Sequence, residues 1–325
     1  MINATGLIPE WSPQDAVLLS WPTAEMDWSM HLQSTTVCYV GIVRTLLEFV
    51  DVVIVCEEKT EVLAAVGDLS GSKHKLYFVE GIPLNDTWIR DYGPLCTIQD
   101  GERVVVDFRF NAWGQKFASD QDNQLIRRLY DRGAFAPGVW VKNRQDIVLE
   151  GGGIEVNGKG IALTTSPMLQ APNRNSWMPE HTQCLEVQEA LGLSQLLVLD
   201  LKALEGDDTD GHIDTMVRFV NDDTLVTVVE GKLPFNAVQL PMPMPKYNDG
   251  HQLPATYANF LITNGAVLVP TYNDPADDVA IEILQELFSD RKVVGVDCRA
   301  LILQNGSLHC ATMQIPKGFL NKEKL

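Results

Sequence analysis

Asn-Gly and Asp-Gly pairs recur between runs of aliphatic and β-branched residues, and this pattern limits the fold more than any other feature of the chain. Such pairs supply the positive φ angles that tight hairpin turns need. Residues 95–108 read as strand, Asp100-Gly101 turn, strand. The pattern returns at 154–164 around Asn157-Gly158, at 216–229 around Asn221-Asp222-Asp223, and at 257–271 around Asn264-Gly265. Four such hairpins suggest a repeated supersecondary unit. Helical apolar spacing fills the intervals at 35–49, 120–131, 180–192 and 277–288, the last with an acidic first turn that suits a helix N-terminus. Val52-Val-Ile-Val55 and Lys292-Val-Val-Gly-Val296 read as strands after two of these helices. Strand pairs alternating with helices make the chain α/β. Pro241-Met-Pro-Met-Pro245 and the polar residues up to His251 read as a surface loop and not a domain boundary.

A second regularity concerns acids. Glu150 and Asp214 each lie seven residues before the asparagine of their hairpin turn, and Asp91 lies nine before Asp100. If the hairpins are equivalent units, these carboxylates emerge at comparable places around one cavity; taken singly, each is an ordinary loop residue. The chain as a whole is acidic, with 25 Lys and Arg against 43 Asp and Glu and a net charge of −18. That balance argues against nucleic acid or a membrane surface as partner. It fits a site for small cations, although most acidic surfaces serve only solubility. Cys38, Cys56, Cys96, Cys184, Cys298 and Cys310 form no CxxC pair, and a chain of 325 residues needs no disulfides, so a reduced protein is expected. The first Lys or Arg is Arg44 and no apolar run is long enough to span a bilayer, so the expected location is the cytoplasm.

Three local motifs are set aside. Gly153-Ile-Glu-Val-Asn-Gly158-Lys159 has the spacing of a phosphate-binding loop, but Gly160 stands where Ser or Thr would hold magnesium. Asp207-Asp-Thr-Asp-Gly211 looks like part of a calcium loop, yet its first and last ligands would be Gly206 and Val217. His212-x-Asp214 alone is a weak metal signal, and the other histidines form no clear ligand cluster. There remain a cysteine, a histidine and several carboxylates near Asp91, Asp214 and Cys310. Such a set suits a cysteine protease or an enzyme acting on a cation. In isolation Cys310 reads more readily as a buried small hydrophobe than as a nucleophile.

Taken in order, the motifs resemble the agmatine deiminase branch of the guanidino-group-modifying enzymes, a group that includes arginine and peptidylarginine deiminases and amidinotransferases. The blocks are Asn85-Asp-Thr-Trp-Ile-Arg-Asp-Tyr-Gly-Pro94, Asp107-Phe-Arg-Phe-Asn-Ala-Trp-Gly114, Leu149-Glu-Gly-Gly152, Pro172-Asn-Arg-Asn175, Thr209-Asp-Gly-His-Ile-Asp214, Asn264-Gly-Ala-Val-Leu-Val-Pro270 and His309-Cys310. The resemblance implies Cys310 as nucleophile, His212 as general acid/base, Glu150 as the acid beside it, and Asp91 and Asp214 as carboxylates gripping a guanidinium. Trp88 would wall the pocket, with Asp86 and Asp208 as further substrate contacts. It also implies a five-bladed α/β propeller of ββαβ-like units around a central channel, in a single domain over residues 1–325. The segment Ala16-Val-Leu-Leu-Ser-Trp21 would pair with the chain's end and close that ring.

The activity so implied is a C–N hydrolase converting agmatine to N-carbamoylputrescine and ammonia, a step of putrescine and polyamine synthesis, with no metal or organic cofactor. The expected partner is a small cationic guanidine, and a homo-oligomer is left open. Alternatives are deimination of free or peptidyl C-terminal arginine, or a catalytically silent binding member. The chain departs from its relatives at Gln304-Asn-Gly306, where many have a glycine pair, at Met313, where many have Gln, and at Asp208, where the usual residue is Glu. The shorter acid bears on chain-length selectivity.

Overall fold

The structure, a computed structural model, describes residues 5–325. All four expected hairpins form, and each gains a third strand parallel to its second. Leu95–Gln99 pairs antiparallel with Glu102–Arg109, which carries Val139–Val148 in parallel. Glu155–Val156, Ile161–Thr165 and Gln195–Leu199 repeat this order. So do Val217–Phe219, Thr224–Thr227 and Asn236–Gln239. Leu261–Ile262, Ala266–Thr271 and Lys292–Asp297 make the fourth set.

The fifth such sheet is built from both ends of the chain. Thr312–Pro316 pairs antiparallel with Gln14–Ser20, which carries Val52–Cys56 and then Leu76–Glu80 in parallel. The segment expected to meet the chain's end does so, in the register Thr312↔Leu19 to Ile315↔Ala16. Parallel neighbours need a crossover, and helices supply most of them, so the fold is mixed α/β. Leu32–Leu46 crosses from Gln14–Ser20 to Val52–Cys56, and Ala276–Leu287 crosses from Ala266–Thr271 to Lys292–Asp297. No helix among the described residues is long and apolar enough to cross a membrane.

Element boundaries follow side-chain burial more closely than composition. The helix expected at 35–49 runs Leu32–Leu46, because Thr35, Cys38, Tyr39, Ile42, Val43 and Leu46 form its buried stripe. The segment 120–131 opens as a 3₁₀ turn, Asp122–Gln124, before the helix Leu125–Asp131. Glu180–Leu191 stops at Gly192, whose left-handed φ of 65° ends the helix. One expectation is corrected: residues 241–251 are not loop throughout. Lys246–Asn248 and His251–Leu253 form a small antiparallel ribbon around Asp249-Gly250, with φ of 48° and 81°. This is the same Asp-Gly turn chemistry seen at Asp100-Gly101. Asn264-Gly265 needs no positive φ, since Asn264 instead exchanges hydrogen bonds with the backbone of Gln14 at 2.8 and 3.0 Å.

Apolar side chains from both ends of the chain share one large cluster, from Ile8 to Phe319. Through the middle of the sheets runs a buried ionic knot. Arg218 donates to Glu155 (2.8 Å), Glu10 (2.5 Å) and the carbonyls of Ala258 (3.2 Å) and Phe260 (2.7 Å), with its guanidinium 4.6 Å from the Phe260 ring centre. Glu10 also meets Arg90 at 3.3 Å and His309 at 2.6 Å. Burial pushes the Glu10 carboxyl up, but Arg218, His309 and Arg90 together hold it well below the ordinary range. Removing one partner of such a knot strands the others. Arg218→Met is therefore expected to lower the unfolding free energy by about 3–5 kcal/mol in urea titration; a loss under about 1 kcal/mol would show that the knot contributes little.

Candidate active site

The acids singled out by their spacing sit on short turns that lead into the hairpins. Asp91 lies in the helical turn Ile89–Tyr92, Glu150 precedes the 3₁₀ turn Gly151–Gly153, and Asp214 lies in the turn Ile213–Thr215. Asn259 precedes the fourth hairpin, and Cys310 precedes the closing strand Thr312–Pro316. Each sheet thus sends one polar side chain from a comparable place, and these side chains converge.

His212 is fully buried at the centre. Its Nδ1 is 3.7 Å from Asp91 Oδ1 and its Nε2 is 3.9 Å from Glu150 Oε2, so neither ring nitrogen has a hydrogen-bond partner. Burial works against its charge, but Asp91, Glu150 and Asp214 outweigh burial and raise its pKa to about 9. Glu150 accepts from Arg174 Nε at 2.9 and 3.1 Å. Burial alone would raise its pKa, yet Arg174 and His212 bring it down to about 2. Arg174 also reaches Asp210 (2.6 Å) and the Thr209 carbonyl (2.8 Å), which ties the loop carrying His212 to Glu150.

Asp91 accepts from the backbone N–H of Gly152 and from Trp113 Nε1, both at 2.9 Å. Burial, with Asp214 and Glu150 nearby, raises its pKa. Asp214 Oδ2 lies 2.6 Å from His309 Nδ1, while its Oδ1 is buried with no partner. Despite burial, His309 and His212 keep Asp214 below the ordinary carboxylate range. The Cys310 sulfur is 3.8 Å from Asp214 Oδ2 and receives a hydrogen bond from Asn259 Nδ2 at 3.3 Å. Burial, then Asp214 and Asp91, push its thiol well above the usual value. Gly152 is compulsory here: a Cβ would stand 2.7 Å from His212 Nδ1, 2.8 Å from Asp91 Oδ1 and 3.0 Å from Asp214 Oδ2.

A pocket leads down to this cluster. Asp91 and Cys310 line its buried end, Trp88, Trp113 and Phe117 its aromatic wall, and Asp86, Asp208 and Asp27 its more open part. Among the described residues, no Lys, Arg or His lines it. Burial, then Asp27 and Asp208, raise the Asp86 carboxyl to about 7; burial and Asp207 raise Asp208 to about 6. His212, Glu150 and Asp214 stand behind this lining. All the residues expected from sequence are thus brought to one region, in two layers.

Sequence reasoning missed Asn259, Trp113, Arg174 and His309 as site residues. Trp113, Arg174 and His309 lie inside the ordered motif blocks but were given no role; Asn259 lies outside them, its one signal being that it is the polar residue ahead of the hairpin with no acid assigned. Trp113 depends on Ala112–Gln115, a turn with φ of 51°, 55°, 85° and 67°. A tryptophan in the left-handed region is a genuine outlier, and such strain collects at functional sites.

Known proteins share the fold over nearly its whole length. A solved structure from Porphyromonas gingivalis, provisionally named an arginine deiminase, is 42% identical, covers 97% of this chain and 99% of its own, and has a TM-score of 0.90. A serine-for-cysteine variant of agmatine deiminase from C. jejuni, solved with substrate bound, is 34% identical over 96% of both chains, with a TM-score of 0.88. A Latilactobacillus sakei protein provisionally named agmatine deiminase is 28% identical over 95% of each. Fold and site together define a guanidino-group-modifying enzyme. More narrowly, residues 6–233 and 229–316 match the Porphyromonas-type peptidyl-arginine deiminase family, and the chain belongs to it.

The unpartnered imidazole gives a direct check. In a proton NMR titration His212 is expected to titrate near 9, and Glu150→Gln to move it downward by removing one of the carboxylates that favour its charge. A wild-type His212 titrating at or below about 6.5, the unperturbed value, would contradict the arrangement.

Proposed function

We propose that this protein is a hydrolytic deiminase that converts agmatine to N-carbamoylputrescine and ammonia, a C–N bond hydrolysis that feeds putrescine synthesis. The observation that carries the reading is a pocket whose ionisable lining is Asp27, Asp86, Asp91, Asp208 and a single thiol, with no basic side chain. Agmatine bears a cation at each end, so both ends find carboxylates. Arginine is the second reading, favoured by the provisional name of the Porphyromonas gingivalis relative. Its carboxylate would face Asp27, Asp86 and Asp208 with no basic lining residue to meet it.

The chemistry follows from charge. A guanidinium is planar and permanently charged, and its forked donors suit two carboxylates, Asp91 and Asp214, which hold it flat. Fixing the plane presents the central carbon to Cys310. The raised thiol pKa then matters, because attack needs the thiolate. One positive charge at ~4 Å and an effective dielectric constant of ~20 is worth about 4 kcal/mol before desolvation. That corresponds to about three pKa units in favour of the thiolate. Bound substrate therefore activates its own nucleophile, and the thiol proton is released to solvent on binding.

Thiolate attack forms a tetrahedral adduct. Protonated His212 gives its proton to the departing nitrogen, ammonia leaves, and an S-linked amidinium remains. Neutral His212 takes a proton from water, the hydroxide adds to the same carbon, and the C–S bond breaks. This restores the thiolate and the imidazolium. The proton lost from the ureido oxygen balances ammonia as ammonium. The reading includes one domain over residues 1–325, its five sheets set as blades around a channel into which these side chains project.

The decisive experiment follows ammonia and ureido product with agmatine and with arginine. Wild type is expected to favour agmatine in kcat/KM, and Cys310→Ala to lose turnover; robust turnover by the alanine variant would sink the covalent scheme. A pH series adds a second test. Asp86 and Asp208 are ionised above about 7 and about 6 and lose charge below those values. The KM for agmatine is therefore expected to rise several-fold as pH falls through this window, and a flat KM would contradict their role.

A further inference from the structure

The open half of the pocket holds a side-chain pair that needs its own account. Asn305 Nδ2 donates to Asp208 Oδ2 at 3.1 Å, and both residues line the pocket. A carboxylate can only accept, so the amide nitrogen must face Asp208, which turns the Asn305 carbonyl oxygen away from it. Among the described residues, that oxygen and Asp208 Oδ1 have no hydrogen-bonding partner of their own. Asn305 is not free to drift. It sits at a left-handed φ of 61° between Gln304, which donates to the Asp27 carbonyl at 2.6 Å, and Gly306, where a Cβ would fall on the Trp88 ring. On the other side, Lys116 is tied to the Asp208 backbone carbonyl and to Asp210 at 3.0 Å, and does not line the pocket. The loop bearing Asp208 is thus clamped from both sides, and its carboxylate is held by a neutral partner that leaves its negative charge uncancelled.

We propose that Asn305 is a specificity-determining residue, and that Asn305 and Asp208 act as a pair to seat the non-reacting primary ammonium of the substrate at the open end of the pocket. The inference deepens the agmatine reading and rests on it. An ammonium has three donors and no acceptor, which matches one carboxylate oxygen and one amide oxygen held at fixed separation. A carboxylate at the same place would lie against the Asp208 carboxylate, which repels it. The length of the carbon chain that fits is then set by where the turn at Asn305 holds Asp208, and not by Asp208 alone.

The test compares two ligands that differ only at this end: agmatine, and the alkylguanidine of equal chain length without the amine. Affinities are read by calorimetry in the Cys310→Ala protein, which binds without turning over. Asn305→Gly removes the amide and keeps the left-handed backbone at no steric cost. It is expected to weaken agmatine about tenfold, the scale of one charge-assisted hydrogen bond. The alkylguanidine should change by less than about twofold. Asp208→Asn should do the same, and the double variant should lose much less than the product of the two single losses, as coupled residues do. Equal weakening of both ligands, or additive losses, would overturn the pairing. Failure of the deiminase reading shows separately, as absence of ammonia release by wild type.

Discussion

Everything at the centre of this protein depends on how much negative charge can be kept away from water. Asp91, Glu150 and Asp214 are all buried around one imidazole. Each has a partner fixed from outside the cluster: Arg174 for Glu150, His309 for Asp214, and the Gly152 amide with Trp113 for Asp91. These partners hold the acids in place without fully neutralising them. The His212 nitrogens and Asp214 Oδ1 are left without hydrogen bonds, an arrangement that costs stability unless something else enters. A planar cation would supply what is missing, and the neutral thiol beside it would change state as it arrived.

That charge economy explains the scaffold's stiffness. Gly152 brings the backbone where no side chain fits, and the left-handed turn Ala112–Gln115 forces Trp113 onto Asp91. Each residue in such a conformation costs of order 1 kcal/mol or more. It is offset by surroundings that leave no alternative, including the Asn111 side chain accepting from the Gly114 amide at 3.0 Å. The knot around Arg218 plays a similar part further in, linking the Ala258 and Phe260 carbonyls to Glu155 and Glu10.

Much of this could be read from the chain, and the omissions have identifiable causes. The hairpins carried their own turn chemistry, and Glu150 and Asp214 stood out because the spacing repeats. The parallel third strands did not stand out. Val139–Val148, Gln195–Leu199 and Asn236–Gln239 have no turn of their own, and their pairing is fixed only by a crossover. The ribbon at Lys246–Asn248 carried an Asp-Gly signal, but the neighbouring prolines obscured it. Asp91, Cys310 and His212 were legible through ordered motifs. Arg174 and His309 stood in those motifs without an assigned role, and Asn259 stood outside them, because a polar residue that orients another has no spacing of its own.

The pairing of Thr312–Pro316 with Gln14–Ser20 gives the molecule a particular history. Residues 14–20 leave the ribosome early and wait for a partner nearly three hundred positions away, the kind of contact that folds slowly. Until that partner arrives, four of the five converging side chains can be present and Cys310 is not. When Thr312–Pro316 zips onto Gln14–Ser20, Cys310 joins the acids, and burial with Asp214 and Asp91 makes its thiol harder to ionise than in the open chain.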